Sequence, residues 1–391
     1  MYRIGKEEVE ELKKAIETQS LFKINNKLME TLNAEKELCS IVGAKHCIVM
    51  SSGHAALTSA LVAMGIGPGD EVIVPAYTYI ATAMAVVSVG AIPVIAEVDE
   101  TLTLCPIDTV RKITAHTKAM IPVHIQGFPC NMDALKEIAQ KYGLCILEDA
   151  CQSVGGSYKE QRLGSIGDAG AFSFNYFKVI TSGEGGAFFT NNRAFFERAL
   201  IYHDSSAVAY FGDQLSNFET RPFCGNEYRG NDLSSAVIRM QLQRLDGILT
   251  DLRKNKKYLM TKLSPFCKFA PSNDIEGDCG TTLALRFDTA ETAKAVATSE
   301  NVYGTVPIYT GKHVYKNWTP IMEKRGAFNP LMDPFKMEAN KDIVPDYNEN
   351  MCPKTLDLLA RTVYISINPD ATTEMLDEQA NKIIAAIKKH C

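Results

Sequence analysis

Residues 46–76 read HCIVMSSGHAALTSALVAMGIGPGDEVIVPA. A short apolar run, HCIVM, gives way to a stretch of small residues with helical character, a glycine-proline turn and a second apolar run, EVIVPA. Neither run alternates polar and apolar residues, as a half-exposed strand does; both read as strands buried on two faces. The rhythm continues outward. Upstream, NAEKELCSIVGA predicts a helix leading into the first strand. Downstream, TYIATAMAVVSVG predicts a helix, IPVIAEV a strand, PIDTVRKIT a helix with Asp108 near its start, AMIPVH a strand, NMDALKEIAQKYG a helix and LCILEDA a strand. Strand-helix alternation at this spacing predicts an α/β fold with a mostly parallel sheet covered by helices on both sides.

Past residue 187 the pattern loosens into a polar stretch, HDSSAVAYFGDQLSNFETRPFCGNEYRGND, followed by one or two helices over SSAVIRMQLQRLDGILTDLRKNKKYLMTKL. The tail holds shorter strands, TTLALRF and TVYISI, and a final helix, TEMLDEQANKIIAAIKK. The expected division is a large domain over 1–250, including an N-terminal helical segment, and a smaller C-terminal α/β domain over 251–391.

The 391 residues carry a net charge of −5, which gives no electrostatic reason to expect nucleic-acid or anionic-membrane binding. Eleven cysteines without a CxxC pair, several inside apolar runs, predict buried free thiols in a reducing cytoplasm rather than disulfides or zinc. The N-terminus, MYRIGKEEVEELKKAIETQ, is charged and amphipathic and lacks the apolar core of a signal peptide.

Ligands on parallel sheets gather at the carboxyl ends of the strands, so the residues just after each run are the ones to inspect. After HCIVM, Gly53 opens a helix and lets backbone N–H groups approach an anion; the bland alternative is an ordinary helix start capped by Ser52. After EVIVPA, Tyr79 can stack on a flat ring or belong to the core. His124, which ends AMIPVH, fits a structural role. After LCIL come Glu148, Asp149 and Gln152. An acid there is a helix cap, an internal ion pair, or a carboxylate aimed at a cationic ligand. No metal-ligand spacing accompanies it, so an organic cation fits better than a metal. The stretch SFNYFKVITSGEGG, residues 173–186, then sets Lys178 between aromatics and a glycine-rich turn. A lysine shielded from water there acts as a nucleophile toward carbonyls. Ser173 lies five positions earlier. A phosphate (Gly53, Ser173), a flat ring (Tyr79), a protonated ring nitrogen (Asp149) and an aldehyde (Lys178) are the parts of pyridoxal 5′-phosphate.

SGHAAL, GDEVIVPAYTYIATA, LEDACQSVGG, SFNYFKVITSGEGG and NEYRGNDLSSAVIRMQLQRLD occur in this order between about residues 35 and 250. In these motifs the chain resembles the DegT/DnrJ/EryC1/StrS sugar aminotransferases, pyridoxal-phosphate enzymes of fold type I, the aspartate-aminotransferase-like fold. The interval from Asp149 to Lys178 (178 − 149 = 29) matches that family. The resemblance implies that Lys178 forms the Schiff base with the cofactor and that Asp149 holds the pyridinium proton. Gln152 is then beside the ring, Tyr79 stacks on it, and Gly53, His54, Ala55 and Ser173 surround the phosphate. It further implies homodimers with active sites at the interface, one subunit lending an asparagine to its partner's phosphate site. Two positions depart from the pattern. His54 stands where the family has threonine, and Glu227 where it has the asparagine, leaving Asn226 as the candidate for that contact.

The implied reaction is a ping-pong transamination, with pyridoxamine 5′-phosphate as the half-way form. Glutamate or glutamine donates, and a keto-sugar accepts: nucleotide-linked, a free sugar acid or a cyclitol. Two alternatives are a sugar dehydratase of the same fold and a non-catalytic ligand-sensing regulator. Dehydratase relatives carry histidine where this chain has Lys178, which argues against the first. The glycine-rich GIGPGD of residues 65–70 precedes a strand, whereas a dinucleotide fingerprint must follow one. The resemblance also implies that segments 203–225 and 303–325, with His203, Tyr210, Tyr309, His313, Tyr315 and Trp318, lie near the acceptor pocket.

Overall fold

A computed structural model describes residues 3–210 and 218–391, with backbone only at 209 and 210. Helices α1 (Lys6–Glu17) and α2 (Glu30–Val42) precede β1 (His46–Met50). The chain then runs through α3 (Gly53–Ala63), β2 (Glu71–Pro75), α4 (Ala81–Ser88), β3 (Ile92–Ala96), α5 (Pro106–Lys112), β4 (Thr117–Met120), α6 (Met132–Tyr142) and β5 (Cys145–Asp149). A hairpin of β6 (Ser157–Tyr158) and β7 (Gln161–Arg162) leads to β8 (Ala169–Ser173), β9 (Gly186–Thr190), α7 (Arg193–His203) and α8 (Asp232–Leu263). The remainder comprises β10 (Lys268–Phe269), β11 (Thr282–Arg286), α9 (Ala290–Ala297), α10 (Thr319–Met322), α11 (Pro353–Ala360), β12 (Thr362–Ser366) and α12 (Thr373–His390).

Seven strands form one sheet in the order β1-β9-β8-β5-β4-β2-β3. All of its pairs are parallel except those of β9, which runs antiparallel to both β1 and β8. Strands β2, β8 and β9 are buried along their whole length, which explains their unbroken apolar character. Strand β4 is shorter than AMIPVH suggests. Pro122 has no N–H to offer a ladder, so the strand stops at Met120 and His124 lies beyond its end.

A second, antiparallel sheet has the order β10-β11-β12. Helix α8 joins the two sheets as a single element of 32 residues, about 48 Å long at 1.5 Å per residue. Its first half packs on α1 and α2, its second on α12. The segment after α9 returns to the large sheet. Tyr77 bridges Val314, and Tyr315 and Trp318 are fully buried in the same core as Tyr77. This return places residues 310–315 at the carboxyl end of β2.

All eleven thiols are free, and nine are buried or half-buried. The expectation of burial fails at Cys224, in a polar loop, and at Cys391, the last residue; both are exposed. Among the described residues, no helix is long and apolar enough to cross a membrane.

Candidate active site

The carboxyl ends of β1, β2, β5 and β8 open on a cavity of about 620 Å³. Its wall includes Gly53, His54, Tyr79, Asp149, Gln152, Ser173 and Lys178, so seven of the nine residues singled out in the sequence meet there. Ala55 is buried behind the wall, with its N–H donated to the Ser52 side chain at 3.0 Å. Asn226 is outside the cavity; its amide donates to the Tyr202 hydroxyl at 2.6 Å. Glu227 pairs with Arg229 at 2.8 Å.

Strand alternation separates the two acids that end β5. Glu148 is fully buried and accepts four hydrogen bonds, from His124 Nε2 (3.1 Å) and from the N–H groups of Gly164 (3.0 Å), Ile166 (2.6 Å) and Gly167 (2.7 Å). His124 Nδ1 in turn accepts from Cys130 N–H, which fixes the ring as the tautomer that donates to Glu148. Both residues are structural: they tie down the loop before β8. Asp149 points the other way, into the cavity. Its carboxylate accepts from Thr82 Oγ1 at 2.7 Å and from Cys151 N–H at 3.1 Å. Thr82 is itself bonded to Thr78 at 2.7 Å. Among the described residues, no cation stands within ion-pair distance of Asp149, although it is 5% exposed. Lys178 is half-buried, and its ammonium has no anionic partner among the described residues. Burial raises the thiol of Cys151, which also lines the cavity, far above the usual range; the charge of Asp149 adds to the rise and that of Lys178 opposes it.

Helix α3 points its N-terminus at this cavity, and the first N–H groups of a helix have no intrahelical partner. Gly53 is required there on steric grounds. A β-carbon would lie 2.8 Å from both Cys151 Sγ and Ser173 Cβ. Gly186 of β9 is required for the same wall: its β-carbon would fall 2.3 Å from the carbonyl carbon and oxygen of Ser52. Ser173 Oγ accepts from Asn175 N–H at 3.3 Å, which leaves its own hydrogen free for the cavity. Burial holds His54 and His313 below the ordinary imidazole range, so both rings are neutral at pH 7. His54 Nδ1 faces Ala81 O at 3.3 Å. A neutral ring that donates there keeps no N–H for a phosphate, so the phosphate-donor role inferred for His54 requires the protonated ring.

Gln152 Oε1 accepts from Gln126 N–H at 3.1 Å, which turns the amide's NH₂ toward open space. Gln126 has a φ of +53°, a left-handed conformation costly outside glycine. It is held by Thr281 Oγ1 on its carbonyl (2.7 Å) and Thr282 Oγ1 on its side chain (2.9 Å), both at the start of β11.

Among the described residues named for an acceptor site, His313 alone lines the cavity. Tyr315 and Trp318 are core residues, Tyr309 is exposed, and His203 is buried beside Lys23. The side chain of Tyr210 and residues 211–217 lie outside the described residues. Sequence reasoning missed Thr82 and Lys312. The signal for Thr82 was its spacing of four from Thr78 at a helix start. Lys312 falls inside the segment 303–325 expected near the acceptor pocket, where only histidine and aromatics were singled out.

A mostly parallel sheet with a lysine and an uncompensated carboxylate at its carboxyl edge, beside a helix N-terminus, defines the class: a fold-type I, pyridoxal-phosphate-dependent transferase architecture. The chain belongs to the DegT/DnrJ/EryC1/StrS aminotransferase family, whose model matches residues 2–308. It is 39% identical over 259 residues to the spore coat polysaccharide biosynthesis protein SpsC of Bacillus subtilis, covering 65% of this chain and 64% of that one. It is 40% identical over 213 residues to the GDP-perosamine synthase of Caulobacter vibrioides, covering 54% of this chain and 56% of that one. The match thus spans less than two thirds of either relative. The structure of 3-amino-5-hydroxybenzoic acid synthase superposes with a TM-score of 0.81 at 25% identity, covering 100% of this chain and 98% of that one. Aminotransferases of this family use pyridoxal 5′-phosphate. The residues present fit that group: an unpaired amine, a carboxylate lacking a cation, and a helix start where a β-carbon is excluded.

Proposed function

We propose that the protein is a pyridoxal 5′-phosphate-dependent aminotransferase. It moves an amino group from glutamate or glutamine to a keto-sugar by ping-pong transamination, as a cytoplasmic homodimer. The observation that carries this reading is the pairing of Asp149 and Lys178 in one cavity. A nearly buried carboxylate with donors but no cation is costly by itself, and a cationic ring nitrogen removes that cost. The names of the curated relatives, a polysaccharide biosynthesis protein and a perosamine synthase, support a sugar as acceptor. The free thiols support a reducing compartment.

In this reading Lys178 holds the cofactor's aldehyde carbon and Asp149 its ring nitrogen. Tyr79 covers the ring, and Gln152 lies beside it. The backbone N–H groups of Gly53 and His54 and the Ser173 hydroxyl would hold the phosphate, with Ala55, whose N–H is given to Ser52, packed behind them. Asn226, which turns away from its own cavity, serves the partner's phosphate site. The large cofactor-binding domain expected over 1–250 and the smaller one over 251–391 share helix α8, and residues 310–318 of the second part pack on the large sheet. When bound, the cofactor supplies the electron sink that lets a C–H bond beside nitrogen break. The chain supplies the rest. Lys178 Nζ, set free when the donor's amine takes its place, would take the proton from the donor's α-carbon and deliver it to the carbon on the far side of the nitrogen. Asp149, anchored by Thr82 and Cys151 N–H, keeps a positive charge on the ring. Tyr79 and His313, whose rings are 5.5 Å apart, form one wall of the cavity.

The test is spectroscopic. Purified protein should show a visible absorption band that glutamate or glutamine bleaches. Lys178→Ala should lose both the band and turnover. Undiminished turnover in that variant would sink the assignment.

A further inference from the structure

We propose that Lys312 is the anion-recognition residue of this site: it binds a carboxylate or phosphate group of the substrate whose reacting carbon stands at Lys178. The inference rests on the aminotransferase reading above and adds a class of substrate to it.

The cavity wall carries two ammonium groups, Lys178 and Lys312, and two carboxylates, Asp149 and Glu184. Both carboxylates are engaged. Asp149 accepts from Thr82 and Cys151 N–H, and Glu184 Oε1 accepts from Asn175 Nδ2 at 2.9 Å. Neither ammonium has an ion-pair partner among the described residues. Lys178 has its task. Lys312 is a second cation with none.

Its position is built. The carbonyl of Lys312 accepts from Ile80 N–H at 3.0 Å and from Trp318 Nε1 at 2.9 Å, and that of His313 accepts from Thr78 N–H at 3.0 Å. The backbone is therefore locked to the carboxyl end of β2 and to a fully buried tryptophan. The ammonium lies 5.1 Å from the centroid of the Tyr79 ring. A cation over an aromatic face is held in place without losing its N–H donors, so it stays ready for an anion. His313, the next residue, also faces the cavity. Its burial and the charges of Lys178 and Lys312 keep it neutral, so it does not compete for the anion as a cation. Lysine suits the task as a compact point charge that accepts either anion. Lys312 is exposed, so water serves its charge in the free protein; a neutral polyol brings it no counter-ion, and a substrate with an acidic group does.

Two sources of that group are possible in a ping-pong cycle. The amino donor carries an α-carboxylate, and the keto-sugar carries its own acidic group if it is a sugar acid or a phosphorylated sugar. The holoenzyme, Lys312→Gln and Lys312→Arg separate them. Glutarate, a dicarboxylate that cannot react, is titrated by calorimetry. The donor half-reaction is followed as bleaching by glutamate and by glutamine. The acceptor half-reaction uses two keto-sugars, one with a carboxylate and one neutral.

Lys312→Gln should bind glutarate about 10–100-fold more weakly, as expected for a lost charged hydrogen bond. It should raise KM for charged substrates by a similar factor while leaving kcat within a few-fold, because the interaction is remote from the reacting carbon. Cofactor affinity should be unchanged, and Lys312→Arg should retain most of the binding. A KM effect confined to the donors assigns the donor's carboxylate to Lys312; one confined to the acidic keto-sugar assigns the acceptor's. Unchanged glutarate affinity, an equal loss on the neutral keto-sugar, or a drop in cofactor affinity overturns the proposal. If no amino donor bleaches the wild-type protein, the aminotransferase reading fails, and the glutarate titration still decides the role of Lys312.

Discussion

Gly186→Ala tests whether the wall of the cavity is set by backbone contact between β9 and the start of α3. The added β-carbon would stand 2.3 Å from the carbonyl carbon and oxygen of Ser52 and 2.6 Å from the Gly53 nitrogen. All three atoms are backbone, so no side-chain rotation relieves the clash. Ordinary contact needs about 3.5 Å, so strand or helix start must move by about 1 Å. Overpacking of this kind costs about 1–3 kcal/mol. The same shift displaces the N–H groups of Gly53 and His54, and a 1 Å misplacement of a positioning group costs on the order of 100-fold in rate. Titration of the apo-protein with pyridoxal 5′-phosphate, followed by absorbance, should show at least tenfold weaker binding. Thermal unfolding should fall by several degrees. Gly67→Ala is the control: its β-carbon meets only Val89 O, at 3.7 Å. Wild-type cofactor affinity and melting temperature in Gly186→Ala would refute the reasoning. A lower melting temperature with unchanged affinity would leave the contact structural only.

Thr82→Val removes a donor from Asp149 without changing side-chain shape. A hydrogen bond to a charged group contributes about 1.5–3 kcal/mol, so cofactor affinity should fall at least tenfold while Thr82→Ser stays near wild type; equal affinity in the valine variant would exclude the anchoring role. Asp204, at the end of α7, is 1% exposed and has one carboxyl oxygen without a hydrogen-bond partner. Burial pushes it up to about 6, partly offset by Arg229 and Lys23 and reinforced by Glu227. Because the folded state holds this proton more tightly than the unfolded chain, the stability that Asp204 provides is full below about pH 4 and is lost as pH rises through about 6. The melting temperature of Asp204→Asn relative to wild type should therefore rise between these values and level off above; a pH-independent difference would contradict that.

Much of the site was legible because parallel strands leave a plain signature. A strand buried on both faces reads as an unbroken apolar run, and the fold rule points to the residue after it. Gly53, Tyr79 and Asp149 were all found in this way, and Ser173 by its place five residues before Lys178. The rule could not rank Glu148 against Asp149, since adjacent residues share the same strand end. Alternation of the pleat sent one toward the loop amides of Gly164, Ile166 and Gly167 and the other toward the cavity. Composition misled where aromatics were concerned. Tyr315 and Trp318 suited a sugar-binding loop by residue type, yet both are fully buried. Trp318 serves the site only by holding the carbonyl of Lys312.

The sequence by itself determined the alternation of strands and helices, the lysine and carboxylate that face one cavity, and the glycines that permit close backbone contact. These are local: each follows from burial, chirality or side-chain chemistry within a few residues. The family resemblance put segment 303–325 near the acceptor pocket; only the tertiary structure decided that Lys312 and His313 are the residues of it that return beside Tyr79, more than 230 residues earlier in the chain. A bridge between Tyr77 and Val314 and a shared buried core make that return, and no periodicity within either segment announces it. Whether a lysine is a solvated surface charge or part of a binding site depends on what lies across from it, and that is settled by long-range packing.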